Sequence, residues 1–241
     1  MLYLPEVPRD GVLSDFYSGY GEFKRYEVPR GVIARLRARL EAMRDLHVRM
    51  LEETGGVKQL RVLEIGASVG HFCERARMRG ARVTAVEPDG ASRAHLAARG
   101  VEALDRIPAD REFDVVCAFQ VLEHLTDPGA MLAQVAAVIP RDGRALLSVP
   151  NAGEFDDTGP TWIGFRVDLE HLNYFRAEHL ARLCALHGLF VEHQWQTAQP
   201  AVGRAGTPPA PLARRLWSKV FESTRITRSG SYELSVLARR A

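Results

Sequence analysis

Cysteine is scarce in this sequence and never occurs as a closely spaced pair. The 241 residues include three cysteines, Cys73, Cys117 and Cys184, which are widely separated and form no CxxC motif. Each lies in an apolar stretch of the chain. We therefore expect buried free thiols in a reducing compartment rather than a disulfide framework.

The chain also lacks a basic start followed by an apolar run, an apolar segment long enough to span a membrane, and a large excess of charge. The formal net charge is +2 at pH 7. These absences argue against a secretory signal peptide, a membrane helix and an electrostatic attraction to nucleic acid or anionic lipid. We expect a cytoplasmic protein whose partner is neither nucleic acid nor a membrane.

Apolar runs and amphipathic segments alternate through the middle of the sequence. They predict strands over 60–65, 82–86, 113–119 and 145–149, and helices over 71–79, 91–99 and 128–138. Strands that alternate with helices are typical of a parallel sheet covered on both faces. The segment 101–112 is short for a further strand and helix, so we expect a trimmed crossover there.

The flanking regions differ from this pattern. An amphipathic helix is predicted over 32–53, and a further helix and two strands over 177–187, 189–194 and 232–237. A long loop is predicted over 151–167, and 197–231 is rich in Pro, Gly and Arg, with a short helix over 212–221. We divide the chain into an N-terminal helical cap (1–56) and an α/β domain (57–241), in which 151–175 and 197–231 are expected to form substrate lids.

The segment 66–70 (GASVG) follows the first predicted strand and fits three motifs to different degrees. A dinucleotide fingerprint, G-x-G-x-x-G, needs glycine where Ser68 and His71 stand. A nucleophile elbow, G-x-S-x-G, matches literally with Ser68 as the nucleophile. However, this is the first strand of the sheet, so no upstream loop can supply the second oxyanion donor. The third interpretation is a turn that holds a cofactor between two carboxylates.

Those two carboxylates favour the third interpretation. Glu87 ends the second predicted strand, at the spacing expected for an acid that accepts both hydroxyl protons of a ribose. Glu64 lies at the tip of the first strand, where it could receive the ammonium of an amino-acid-like ligand or brace the turn. A ligand with a positive charge and no phosphate suits such an acidic cleft.

Several segments together carry a family resemblance: 62–70 (VLEIGASVG), 83–88 (VTAVEP), 113–116 (FDVV), 120–125 (QVLEHL), 144–151 (RALLSVPN) and 170–175 (EHLNYF). With them, the sequence resembles the class I S-adenosylmethionine-dependent methyltransferases, in the branch that modifies small molecules and sugars. The resemblance implies a three-layer, doubly wound, mostly parallel α/β sheet (the Rossmann-like methyltransferase fold) with an antiparallel last strand and a C-terminal insertion. Ser68 departs from the family, which usually has glycine there, and this departure bears on cofactor affinity.

The resemblance implies a site for S-adenosylmethionine, and for its product S-adenosylhomocysteine, at the carboxyl edge of the sheet. The turn would let the backbone approach the methionine and ribose, Glu87 would hold the ribose, and Pro88 and the segment at Asp105 and Arg106 would lie beside the adenine. The implied cofactor residues are Glu64, Gly66, Ala67, Ser68, Gly70, His71, Phe72, Glu87, Pro88, Asp105, Arg106, Gln120, Val121 and Leu122. The N-terminal residues Tyr17, Tyr20, Arg25 and Tyr26 could close over the cofactor or be structural.

Methyl transfer to a hydroxyl requires alignment of the acceptor, exclusion of water and uptake of a proton. Histidine is the natural general base near neutral pH, so His124 and His171 are the candidate catalytic residues, although each could be structural. Glu123 and Tyr174 are secondary candidates. The histidines are dispersed and form no His-x-x-x-His face, so we predict no metal site.

The sequence therefore predicts an S-adenosylmethionine-dependent methyltransferase that O-methylates a small molecule. A sugar or a natural-product or glycan precursor is the expected acceptor, by analogy with the family. Two alternatives stay open: a non-catalytic module that binds S-adenosylmethionine, and a serine hydrolase that uses Ser68. The oligomeric state is not predicted.

Overall fold

The computed structural model describes residues 2–3, 45–158, 171–197 and 232–241. Its strands are β1 (Leu2–Tyr3), β2 (Arg61–Ile65), β3 (Arg82–Val86), β4 (Glu102–Leu104), β5 (Val115–Phe119), β6 (Arg144–Pro150), β7 (Asn173–Tyr174), β8 (Leu189–Thr197) and β9 (Glu233–Arg240). Its helices are α1 (Leu46–Glu53), α2 (His71–Met78), α3 (Gly90–Ala98), α4 (Pro128–Val138), α5 (Phe155–Thr158) and α6 (Ala177–Leu186), with 3-10 turns at Leu122–His124 and Ala152–Glu154.

Seven of these strands form one mixed sheet in the order β4-β3-β2-β5-β6-β9-β8. Strands β2 to β6 pair in parallel, and β9 lies antiparallel between β6 and β8. The chain runs from β2 outward to β4 and then returns to place β5 on the other side of β2. This topology confirms the predicted doubly wound fold with its antiparallel last strand, and it makes the carboxyl ends of β2 and β5 the switch point where such sheets bind ligands.

The central strands are covered on both faces, as the apolar runs predict. All seven residues of β6 are buried. One core cluster lies on the side of α4 and α6, and the other lies on the side of α1 and α2. Most side chains of the central strands are therefore buried, and the polar groups near them lie at the strand ends and in the turns that follow.

Aspartate caps explain where two of the covering helices begin. The Asp89 side chain accepts the backbone N–H of Ser92 at the start of α3, and Asp127 accepts that of Ala130 at the start of α4. Pro128 occupies the first turn of α4, where its missing N–H costs nothing. These local signals are why the predicted starts of both helices lie within a residue of the observed ones.

Some predicted boundaries are wrong. The helix expected over 32–53 does not run unbroken, because Asp45 has an extended backbone and its side chain caps a new helix, α1, through the N–H of Val48. The loop expected from Asn151 begins instead with a 3-10 turn and α5. Strands β8 and β9 extend beyond their predicted ends.

The trimmed crossover is confirmed within the described chain, since β4 has three residues and no helix separates it from β5. Several predictions concern segments outside the described residues: the N-terminal tyrosines and basic residues, the lid around Trp162, and the 212–221 helix. Within the described ranges, no helix combines the length and hydropathy needed to cross a bilayer.

Candidate active site

The glycine-rich turn between β2 and α2 is built on glycines that the geometry requires. Gly66 has φ +72° and Gly70 has φ +76°, in the left-handed region. A Cβ on Gly66 would lie 2.5 Å from Cγ2 of Val121, so glycine allows the turn to touch the segment after β5. The Gly66 N–H donates to the carbonyl of Val86 at 2.8 Å, which joins the turn to the end of β3.

Glu87 connects this turn to the neighbouring strand end. One carboxylate oxygen accepts the backbone N–H of Ser68 at 2.7 Å, and the other accepts that of Asp89 at 3.0 Å. A carboxylate has about four acceptor positions, so two remain for hydroxyl donors. Glu87 is thus held in place by two backbone N–H groups.

Ser68 itself has φ +49°, which a glycine would adopt with less strain. The contact with Glu87 is made by the backbone N–H of Ser68, so it does not depend on the serine side chain. The departure from the family's usual glycine is therefore accommodated in the backbone of the turn.

Glu64 braces the turn from beneath. Its carboxylate accepts the backbone N–H of Cys73 at 3.0 Å and the Cys73 thiol at 2.8 Å. Of the two roles open from the sequence, these contacts support bracing of the turn and the start of α2. The three cysteines are buried and free, as predicted, and burial and the Glu64 carboxylate raise the pKa of the Cys73 thiol well above its ordinary value.

Replacing Glu64 with glutamine is expected to flatten the pH dependence of stability between about pH 5 and 7. Burial raises the pKa of the Glu64 carboxyl to about 7, although its hydrogen bonds with Cys73 oppose the shift. The folded protein therefore holds this proton more tightly than the unfolded chain does. The free energy of unfolding is therefore greatest at pH values below the ordinary pKa of a glutamate side chain, and it falls by roughly 3 kcal/mol as the pH rises through 7. Glutamine cannot ionise, so the fall disappears.

Urea unfolding of both proteins across this pH range measures the difference. Glu74→Gln is the matched control, because Glu74 is an exposed carboxylate on α2, the helix whose start Glu64 braces, and pairs with Arg99. It should keep the wild-type slope. Equal slopes for wild type and Glu64→Gln would contradict a raised pKa at Glu64.

The remaining implied cofactor residues are distributed around the turn. Asp105 and Arg106 follow β4 and pair with each other, Nε to Oδ1 at 3.1 Å, with both side chains exposed. They lie near Glu87 because the Glu87 N–H donates to the carbonyl of Leu104 at 2.9 Å. His71 is exposed at the start of α2, whereas Phe72 is buried and packs edge-on against Phe119 with ring centroids 4.9 Å apart.

Sequence reasoning missed a pair of residues beside the end of β5. His47 Nε2 lies 2.9 Å from a carboxylate oxygen of Glu233, and the His47 ring stacks on Phe119 at 3.9 Å. Burial alone would lower the pKa of His47, but the hydrogen bond with Glu233 and its charge raise it. Gln120, which has φ +54°, reaches the other Glu233 oxygen at 3.5 Å. No local signal could have found this pair, since its members are 186 positions apart.

The two predicted catalytic histidines come together with Glu123. The rings of His124 and His171 meet edge to face with centroids 4.8 Å apart, and Nε2 of His124 lies 3.8 Å from Oε1 of Glu123. We call Glu123, His124 and His171 the Glu123 cluster. Burial raises the pKa of the Glu123 carboxyl to about 8. Tyr174 stands further off, with its ring centroid 6.5 Å from that of His171.

Comparison with known proteins identifies relatives. A family profile described as "Methyltransferase domain" matches residues 34–194. The chain is 32% identical over 112 residues to the ubiquinone biosynthesis O-methyltransferase of Aeromonas salmonicida, covering 42% of this chain and 47% of that protein. The enzyme of the same name from Bradyrhizobium sp. is 33% identical over 144 residues, which cover 51% of this chain and 56% of the relative. The chain thus spans about half the length of the curated relatives it matches.

Solved structures share the fold. Magnesium protoporphyrin IX methyltransferase of Synechocystis, crystallised with S-adenosylmethionine, superposes with a TM-score of 0.60 at 13% identity over 99% of this chain and 100% of that one. The 1,6-didemethyltoxoflavin N1-methyltransferase of Burkholderia thailandensis superposes with a TM-score of 0.61 at 21% identity over 100% and 93% of the two chains. The family profile covers more than half of the sequence, and the sheet is doubly wound and mostly parallel with an antiparallel last strand, as the resemblance implied. The chain therefore belongs to the class I methyltransferase family, whose cofactor is S-adenosylmethionine.

Proposed function

We propose that this protein transfers the methyl group of S-adenosylmethionine to a hydroxyl of a small molecule. The observation that carries the proposal is the attachment of Glu87 to the glycine-rich turn through the Ser68 N–H, at 2.7 Å. This contact joins the carboxylate that we assign to the ribose to a turn of small residues at the switch point of the sheet. The relatives that bear the name ubiquinone biosynthesis O-methyltransferase support oxygen as the accepting atom.

The residues present fit the cofactor. A Cβ at Gly66 would lie 2.5 Å from Cγ2 of Val121, so glycine lets the turn pack directly against the segment that follows β5. Glu87 would hold the ribose hydroxyls, and Gly66, Ala67 and Gly70 would border the methionine and ribose. Pro88, Asp105 and Arg106 would border the adenine, and Gln120, Val121 and Leu122 would close the site on the β5 side.

The bound cofactor supplies a methyl group already activated by a sulfonium, so the protein's task is positioning and proton transfer. The acceptor hydroxyl must lose its proton as the new carbon–oxygen bond forms. Glu123 and His124 lie in the 3-10 turn after β5, just beyond Val121, whose side chain lies against Gly66, and the His171 ring contacts that of His124. We therefore assign to His124 and His171 the positioning of the acceptor hydroxyl and the promotion of its proton loss.

The acceptor is proposed to be a phenolic or alcoholic small molecule. Sugar hydroxyls remain a second acceptor class, on family analogy alone. The hydrolase alternative gains no support, because the family match is to methyltransferases and the Ser68 N–H is engaged by Glu87.

The test is turnover with an acceptor panel of phenols, catechols, sugars and amines. S-adenosylmethionine binding is measured by calorimetry, and S-adenosylhomocysteine and methylated product by mass spectrometry. We expect binding and turnover that requires a hydroxyl acceptor, with kcat reduced about 100-fold in His171→Ala. His193→Ala, an exposed histidine on β8, is the control. Binding without turnover across the panel would overturn the proposal in favour of a non-catalytic binding module.

A further inference from the structure

The Glu123 cluster combines one carboxylate and two imidazoles within a small volume. Each of its residues offers one ligand atom, and these atoms all lie within 4.8 Å of one another. Glu123 and His124 are adjacent in the 3-10 turn after β5, whereas His171 comes from the segment that leads into β7. Because the ligands are 47 and 48 positions apart in sequence, their spacing could not indicate a metal site.

Backbone contacts hold the two segments against each other. The N–H of Leu172 donates to the carbonyl of Glu123 at 2.7 Å. The Asn173 side chain donates to the carbonyl of Leu125 at 2.7 Å and reaches that of Leu122 at 3.4 Å. These bonds fix the two residues that follow His171 to the turn that carries Glu123 and His124. The cluster is thus positioned by its supporting residues rather than by a chance approach of flexible side chains.

Glu123 has no hydrogen-bond partner at either carboxylate oxygen among the described residues, and its side chain is 0% exposed. An ionised carboxylate in such a place costs several kcal/mol unless a positive charge compensates it. Burying the protonated carboxyl is also unfavourable, because its O–H needs a hydrogen-bond acceptor and the surrounding described residues provide none. The nearby charge of Glu233 adds to the negative potential. A cation bound between the carboxylate and the two imidazoles resolves both problems.

We propose that Glu123, His124 and His171 bind one divalent first-row transition metal ion, of which Zn²⁺ is the representative. Two imidazoles with one carboxylate form a ligand set that such ions prefer, whereas Mg²⁺ and Ca²⁺ prefer oxygen ligands alone. Ligands at about 2.1 Å from one ion lie roughly 3–4 Å apart. Side-chain rotations that move the ligand atoms by about an ångström would close the cluster around the ion.

Three protein ligands leave a coordination position open, as in catalytic metal sites. The consequence for catalysis rests on the proposed function. An acceptor hydroxyl bound at the open position would have its pKa lowered by the ion, so its proton would pass to water. The oxygen would then attack the methyl carbon as the carbon–sulfur bond breaks and S-adenosylhomocysteine leaves. On this proposal His124 and His171 act through the ion that they hold, and the ion rather than an imidazole contacts the acceptor oxygen.

The experiment is titration of the full chain, first stripped with EDTA, with Zn²⁺, Mn²⁺ and Mg²⁺ by calorimetry. We expect one equivalent of Zn²⁺ to bind and no comparable binding of Mg²⁺. Glu123→Gln and His171→Ala should each weaken Zn²⁺ binding at least about 100-fold. Glu192→Gln and His193→Ala change an adjacent, exposed Glu–His pair on β8 and should bind Zn²⁺ as the wild type does.

Thermal unfolding of the same samples distinguishes loss of a ligand from loss of the fold. Without metal, Glu123→Gln should be at least as stable as the wild type, because it removes a buried ionisable group with no hydrogen-bond partner. With Zn²⁺, the wild type and the β8 variants should gain thermal stability, and Glu123→Gln should not. Equal Zn²⁺ binding by wild type and cluster variants, or no stoichiometric binding by the wild type, overturns the proposal.

Methyl transfer by these samples, with and without EDTA, separates the two proposals. Full turnover in EDTA leaves the proposed function intact and removes the metal site. Stoichiometric Zn²⁺ binding without turnover on any acceptor keeps the metal site and overturns the proposed function. Turnover that falls in EDTA and returns with Zn²⁺ supports both.

Discussion

Replacing Glu87 with alanine is expected to weaken the binding of S-adenosylmethionine at least about 100-fold. The proposed contacts are two hydrogen bonds from the ribose hydroxyls to an ionised carboxylate, each of about 1.5 kcal/mol or more. Losing both costs roughly 3 kcal/mol, which is about two orders of magnitude in Kd. The variant also loses the acceptor for the Ser68 N–H at 2.7 Å, so the turn is held less firmly.

Glu87→Gln separates these two effects. Glutamine keeps an oxygen that can accept the Ser68 N–H but removes the charge, so we expect an intermediate loss of about 10-fold. Glu112→Ala removes an exposed carboxylate before β5 and serves as the control. Calorimetric Kd values for the four proteins provide the measurement. An affinity of Glu87→Ala within about twofold of wild type would remove Glu87 from the cofactor site.

The second large effect is expected from Gly66→Ala, which should destabilise the fold by about 3 kcal/mol. Alanine in the left-handed region costs roughly 1 kcal/mol. The added methyl group would also lie 2.5 Å from Cγ2 of Val121, so the turn and the segment after β5 must move apart. The urea midpoint should fall without a change of slope.

Gly188→Ala isolates the backbone part of this cost. Gly188 has φ +75°, nearly that of Gly66, but apart from its chain neighbours no atom of the described residues lies within 4 Å of the position of an added Cβ. We therefore expect a loss of only about 1 kcal/mol there. Equal losses in Gly66→Ala and Gly188→Ala would show that Val121 does not approach the turn as described.

Ser68→Gly should leave the free energy of unfolding unchanged or raise it by up to about 1 kcal/mol, because serine at this position has an unfavourable positive φ that glycine adopts without strain.

Most of the fold was predictable because its signals are local. The apolar runs of β2, β3 and β5, the aspartates that start α3 and α4, and the glycines of the turn each act on residues a few positions away. Asp45 shows the limit of this kind of argument. A helical periodicity runs through it, yet its side chain caps the Val48 N–H and starts a new helix.

The sequence by itself therefore determined the alternation of elements, the glycine-rich turn and the carboxylate, Glu87, at the end of the next strand. Only the tertiary structure decided what Glu64 contacts, that His47 pairs with Glu233, and that Glu123, His124 and His171 form one cluster. The physical reason is that most of these contacts join residues far apart in sequence, which meet only once the order of the strands and the packing of distant segments are established. Hydrophobic periodicity says which face of an element is buried, and it does not say which distant side chains meet at the edge of the sheet.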